Sequence, residues 1–187
     1  MTDPLGLIGK TSPLSPTPPG GAPRPDQTGG PGFKELLQEQ IAKVNEMQKE
    51  LVIKKVTEML WNLPDKTIGV WGLAFKPDTD DIRCAPSIDI IKRLLAEGAD
   101  IKAFDPVAME NTKKELGDKI VYCRDIYEAA QDADCVILMT EWNEFKEIDW
   151  QRLKGIMRQP AILDGRNAYD PRKLKDMGFR YAGIGRS

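Results

Sequence analysis

From Lys66 to the C-terminus, short apolar runs alternate with stretches of helical period, one helix-length connection between each run and the next. This alternation constrains the chain more than any other feature. Strands joined through a helix lie parallel, because only a crossover of that length returns the chain to the same edge. The spacing predicts strands at Thr67–Trp71, Asp100–Phe104, Ile120–Cys123, Cys135–Thr140, Ala161–Leu163 and Arg180–Ile184. Helices are expected at Ile88–Ala96, Ala108–Leu116, Ile126–Ala130, Trp150–Met157 and Pro171–Met177. Ser87 reads as the N-cap of the first and Gly98 as its stop. The Cys135–Thr140 run is continuously apolar, as a strand covered on both faces must be. The fold class is α/β, a Rossmann-like doubly wound parallel sheet over residues 66–187. No internal repeat is visible.

Two segments precede it. Residues 1–32 hold eight prolines and seven glycines with almost no apolar periodicity. Such a segment cannot bury enough surface to offset the entropy of ordering. It reads as a disordered leader, with a proline-rich ligand for another domain as the functional alternative. Residues 33–62 read as one long helix, with Phe33, Leu37, Ile41, Val44, Met47, Leu51, Val56 and Leu60 at spacings of three to five and no Gly or Pro between. At 1.5 Å per residue it is about 45 Å long, more than one face of so small a domain requires. A helix packed along its own domain and a helix packed against another chain are both open. The width of the apolar stripe favours the second.

Composition excludes several functions. The chain has no histidine, which removes the commonest general base, the commonest metal ligand, and any Ser-His-Asp or Cys-His mechanism. A formal net charge of −2 does not suggest a nucleic-acid partner. No run is long enough to span a bilayer, and no signal-peptide core follows the N-terminus. Cys84, Cys123 and Cys135 are an odd number at wide spacing, which suits reduced thiols in the cytoplasm.

In an open parallel sheet, ligands bind beyond the carboxyl ends of the strands. The turn from Gly72 onward fits no frame of GxGxxG, and its loop runs about fifteen residues before the next helix. A dinucleotide pyrophosphate is therefore not expected there. Lys76 and Arg166 fall at strand ends on one rim, where two cations can hold a diphosphate. The competing reading pairs Lys76 with Asp78 or Asp80 and Arg166 with Asp164. Asp78, Asp80 and Asp81 lack the spacing of a calcium loop and suit turn capping; no metal site is expected. Asp105 is either a ribose ligand or the turn-former of an Asp-Pro pair. Cys84 precedes a helix but has no histidine to activate it. Cys123 and Cys135 read as small core residues, and Trp142 and Phe145 as core packing or cleft lining.

The stretches VWGLAFKPDTDDIRCAPS, FDP, TEWNEF and DGRN, in that order, closely resemble the C-terminal UDP-binding part of the UDP-glucose/GDP-mannose dehydrogenase family. KVNEMQKEL at 43–51 is similar to the end of that family's central helix. The resemblance implies a UDP-sugar, UDP-glucose in particular, held by Phe75, Lys76 and Arg166, with Arg83 near the cofactor side of the cleft. It implies a homodimer through the 33–62 helix. It also implies, for the whole enzyme, oxidation of a sugar C6 alcohol to a carboxylate with two NAD⁺ and a cysteine thioester. The family's NAD-binding half and nucleophilic cysteine lie upstream of the central helix, where this sequence has its Pro/Gly leader. No catalytic residue is therefore assigned here, and no cofactor is expected on this chain alone. A nucleotide-sugar binding module, a helix-mediated scaffold and a residual dehydrogenase are the three functions to separate.

Overall fold

The computed structural model describes residues 32–185; the Pro/Gly leader falls outside them except for Gly32. Helix α1 spans Phe33–Leu60. Strand β1 (Thr67–Trp71) follows, then α2 (Pro86–Ala96), β2 (Asp100–Phe104), α3 (Met109–Leu116), β3 (Val121–Tyr122) and α4 (Ile126–Ala130). The second half holds β4 (Cys135–Leu138), a 3-10 turn (Asn143–Lys146), α5 (Trp150–Ile156), β5 (Ala161–Asp164), α6 (Pro171–Asp176) and β6 (Arg180–Gly183). All six strands are parallel, in the order β3-β2-β1-β4-β5-β6. That is the doubly wound order. The direction of travel reverses between β1 and β4, so the crevice beyond their carboxyl ends is the switch point.

The centre of the sheet is dry. Ile68, Val70 and Trp71 of β1, all of β4, and Ala161–Leu163 of β5 are buried. The Trp71 indole N–H donates to the Ile126 carbonyl at 3.1 Å, so its burial strands no polar group. At the opposite end of the sheet, buried Asp134 accepts from the Thr67 amide, Arg158 and Gln159, tying three connections together.

Three local expectations are corrected. Ser87 does not cap α2; the N-cap is Ala85 and Pro86 is the first helical residue. Proline suits that position because its missing N–H would have had no helical partner. The Ser87 hydroxyl instead donates to the Leu73 carbonyl at 2.7 Å. Strand β4 ends at Leu138 rather than Thr140: the Met139 amide makes the last ladder bond, to the Trp71 carbonyl, and the Thr140 amide reaches the same carbonyl at 3.4 Å as the chain leaves the sheet. The third strand is reduced to Val121–Tyr122, an edge pairing of two residues.

Only the C-terminal half of α1 packs on the domain. Val52, Val56, Met59 and Leu60 are buried, each contributing about 1.5–3 kcal/mol on burial. Lys49 pairs with Asp89 and Glu46, and Arg93 with Glu46, which sets α1 across α2. Towards the N-terminus, Phe33, Leu36, Leu37, Ile41, Val44 and Met47 stay exposed. They carry most of the apolar stripe legible in the sequence, and no described element covers them.

The thiols divide by burial. Burial pushes Cys123 up to about 11 and Cys135 up to about 12, whereas Cys84 is exposed. Thiolate, not thiol, is the nucleophile. We therefore expect one thiol per chain to react with an aromatic disulfide reagent in the native protein at pH 8, and three in denaturant. Cys84→Ser should abolish the native reaction; two or more fast native thiols would contradict this packing.

Candidate functional site

The site is built on the two turns that leave β1 and β5. The first is locked from four sides. Gly72 has φ +86°, and a Cβ there would lie 2.5 Å from that of Thr140, so no other residue fits. The Leu73 and Ala74 amides donate to one carboxylate oxygen of Asp105, at 2.7 and 3.1 Å. Their carbonyls accept from the hydroxyls of Ser87 and Thr140, at 2.7 and 2.6 Å. The Phe75 amide donates to the Asp81 carbonyl at 2.9 Å. Leu73 and Ala74 are buried, and the chain then surfaces, presenting a half-exposed Phe75 ring and an exposed Lys76. Lys76 has no ion pair among the described residues; neither Asp78 nor Asp80 takes it. A rigid turn that ends in a bare aromatic ring and a bare cation is spared the ordering entropy that a flexible loop loses on binding.

Asp105 is the keystone of this turn. It is 1% exposed and also accepts from the Val107 and Ala108 amides and from the Trp142 indole N–H, at 3.0, 2.8 and 3.1 Å. Its five donors all come from the protein, so of the two roles the Asp-Pro pair allowed, turn formation is the one the structure assigns. Trp142 and Phe145 are both buried and pack under the sheet end.

The second turn aims Arg166. Asp164, at the end of β5, accepts from the Arg166 amide, the Tyr169 amide and the Tyr181 hydroxyl at 3.0, 2.9 and 2.9 Å. Burial, and then the nearby Asp164, push the Tyr169 phenol upward. Gly165 lies against the Leu138 carbonyl so closely that a Cβ would come within 2.6 Å. The Arg166 guanidinium then crosses the switch point. Its Nε–H donates to the Met139 carbonyl at 2.8 Å, and Nη2 donates to the Phe75 carbonyl at 3.2 Å. The loops after β1, β4 and β5 thus meet at one guanidinium, one residue from Lys76.

A guanidinium carries five N–H donors. Two are used by carbonyls, leaving three with no acceptor among the described residues. The carboxylate beside Arg166 is Glu141, not Asp164: its Oε2 lies 2.8 Å from Nε but accepts no hydrogen bond. Next to this pair is a hollow of about 320 Å³, walled by Gln48, Lys49 and Val52 of α1, Pro86 and Ile90 of α2, and the strand ends. Lys76 is not in its lining; its second cation is Lys49. A larger hollow of about 670 Å³ between α1 and α2 lies away from the switch point, and its size alone gives it no claim to the chemistry.

Sequence reasoning missed Gln48, Lys49, Glu141 and Asn167. Glu141 and Asn167 lay inside motifs already singled out, as neighbours of the residues chosen. Gln48 and Lys49 lay inside the 43–51 stretch, where the packing of α1 across α2 brings them to the hollow.

Arg83 stands apart. Its Nε and Nη2 grip both Asp81 carboxylate oxygens, at 3.0 and 2.8 Å, and its side chain is 87% exposed. The side-chain bonds from Arg83, reinforced by its amide, hold Asp81 down at about 2. Asp80 accepts from Asn111 at 3.0 Å, and Asp78 adopts φ +61° in the turn. These acidic residues are occupied in shaping the loop. No group of three or more metal-ligating acidic or thiol side chains is present among the described residues.

The topology defines a doubly wound α/β domain with Lys76 and Arg166 at the rim of its switch point. Residues 69–171 match the UDP-binding domain of the UDP-glucose/GDP-mannose dehydrogenase family. The chain is 37% identical over 155 residues to the UDP-glucose 6-dehydrogenase TuaD of Bacillus subtilis, covering 83% of this chain and 34% of that one. It is 41% identical over 151 residues to the UDP-glucose 6-dehydrogenase of Rhizobium meliloti, covering 80% and 34%. A UDP-glucose dehydrogenase structure from Pyrobaculum islandicum superposes with a TM-score of 0.70 at 29% identity, over 82% of this chain and 33% of that one. The chain belongs to the UDP-glucose/GDP-mannose dehydrogenase family through its UDP-binding domain, and it spans about a third of the length of these relatives.

Proposed function

We propose that this domain binds the UDP portion of a UDP-sugar, UDP-glucose being the first candidate, at the rim formed by Phe75, Lys76 and Arg166. The observation that carries this reading is the guanidinium of Arg166, held across the switch point by two carbonyls with three N–H donors still open. Such a fork matches adjacent phosphoryl oxygens, with Lys76 as a nearby point charge and Phe75 as an exposed ring on which a base can rest. Calorimetric titration of the full chain with UDP and with UDP-glucose tests it. We expect saturable heat in the submillimolar to millimolar range, weakened about three- to tenfold by Lys76→Ala. Absence of heat at millimolar ligand would remove the reading.

The family resemblance attaches hydride transfer to NAD⁺ to the whole dehydrogenase. The turn after β1 does not fit a dinucleotide pyrophosphate: the Leu73 and Ala74 amides are held by Asp105, and Pro86 removes an N–H from the first turn of α2. No catalytic step is assigned to these residues, and a role of Arg83 towards cofactor falls to the N–H donors that Asp81 does not take.

A second reading concerns α1. The exposed run from Phe33 to Met47 favours a homodimer formed through this helix, which alone makes the chain an assembly module. Sedimentation of the full chain at micromolar concentration should give a dimer, and Ile41→Glu a monomer with an unchanged melting temperature. A monomeric wild type would dismiss it. No described helix is long and apolar enough to cross a membrane.

A further inference from the structure

We infer that Glu141 is a specificity-determining residue of this rim, selecting ligands that present hydroxyl donors beside their phosphoryl groups and disfavouring bare anions. The inference rests on the nucleotide-sugar reading above and adds to it what the hollow demands of the rest of the ligand.

Glu141 is the ion-pair partner of Arg166 but not its hydrogen-bond anchor. The guanidinium is already fixed by the Met139 and Phe75 carbonyls, and its Nε–H points to Met139 rather than to the carboxylate. The buried Oε2 of Glu141 accepts no hydrogen bond from any described residue. The Glu141 side chain is 42% exposed and lines the hollow, with that Oε2 facing the Arg166 guanidinium. Asn167 lines the same hollow; its amide N–H donates to the Ile184 carbonyl at 2.9 Å, leaving the amide oxygen without a donor. The hollow thus sets the open donors of Arg166, and Lys49 already paired with Glu46 and Asp89, beside two acceptors that lack donors. A purely anionic ligand answers Arg166 but meets the Glu141 charge at close range. A ligand carrying a sugar or ribose diol next to a phosphoryl group answers both, since its hydroxyls donate to the carboxylate. At about 320 Å³ the hollow lies at the small end of the range for ligand sites, room for a ring and not for a whole nucleotide sugar.

Glu141→Gln keeps the shape, removes the charge and leaves an amide that serves as a weaker acceptor. Inorganic pyrophosphate, UDP and UDP-glucose are titrated into wild type and E141Q by calorimetry, with Glu141→Met as a second variant and melting temperature as the check on folding. The expected result is opposite movement. Pyrophosphate should bind about three- to tenfold tighter to both variants as the like charge is lost. UDP-glucose should bind no tighter, so the preference for UDP-glucose over pyrophosphate falls by at least about threefold. If both ligands shift by the same factor, or neither shifts, Glu141 selects nothing and the inference falls while the nucleotide-binding reading stands. If wild type binds none of the three, both fall together.

Discussion

Asp105→Asn is expected to destabilise the domain by about 3–5 kcal/mol, although it changes one atom and no volume. Both carboxylate oxygens serve as acceptors. One takes the Leu73 and Ala74 amides and the Trp142 indole; the other takes the Val107 and Ala108 amides. An asparagine can offer only one oxygen. Whichever way its amide turns, the NH₂ group faces two or three N–H donors at hydrogen-bond distance with almost no water to relieve them. Urea denaturation followed by tryptophan emission should show a lower midpoint. The loss should be larger than for Asp80→Asn, whose carboxylate is exposed and takes its one side-chain bond from Asn111. Equal stability of D105N and wild type would mean that the turn after β1 is not held as described.

The second large effect is on binding. Arg166→Lys keeps the charge but loses the planar fork, and with it the ability to hold the Met139 and Phe75 carbonyls while offering a second edge to a ligand. An ammonium has three donors, and if two stay on the carbonyls one is left. Loss of a bidentate, charge-assisted contact is expected to weaken UDP binding about 30- to 100-fold. The fold should survive, because the buried anchor of this turn is Asp164, which bonds the amide at position 166 rather than its side chain.

Much of the scaffold was legible from periodicity. The strands Thr67–Trp71 and Asp100–Phe104 and the helix Ile126–Ala130 lie where the apolar pattern puts them: the first strand is buried almost throughout and the second alternates, and both patterns show in the residue types. Ends were less legible. Ser87 has good capping chemistry, yet Pro86 begins the helix and the hydroxyl serves a carbonyl fourteen residues away. That partner is visible only once the turn has folded back. The site divides the same way. Strand-end position marked Arg166 and Lys76, and Asp105 as one of two roles. Which carboxylate faces Arg166 depends on how the β4 and β5 turns cross, which placed Glu141 there and left Asp164 to the backbone. Lys49 reached the hollow through tertiary packing of α1, of which helical spacing carries no record. Helical spacing predicts a helix longer than one face of the domain requires, but spacing alone does not reveal that the helix is buried only from Val52 onward.

The proposed binding depends on one guanidinium, that of Arg166, whose N–H donors beyond the Met139 and Phe75 carbonyls would grip phosphoryl oxygens. Side-by-side calorimetry of wild type and R166K with UDP, at matched ionic strength, probes those donors most directly. The account predicts saturable binding to wild type and a loss of about 30- to 100-fold in the variant at unchanged melting temperature. Equal affinity in the two proteins would contradict it.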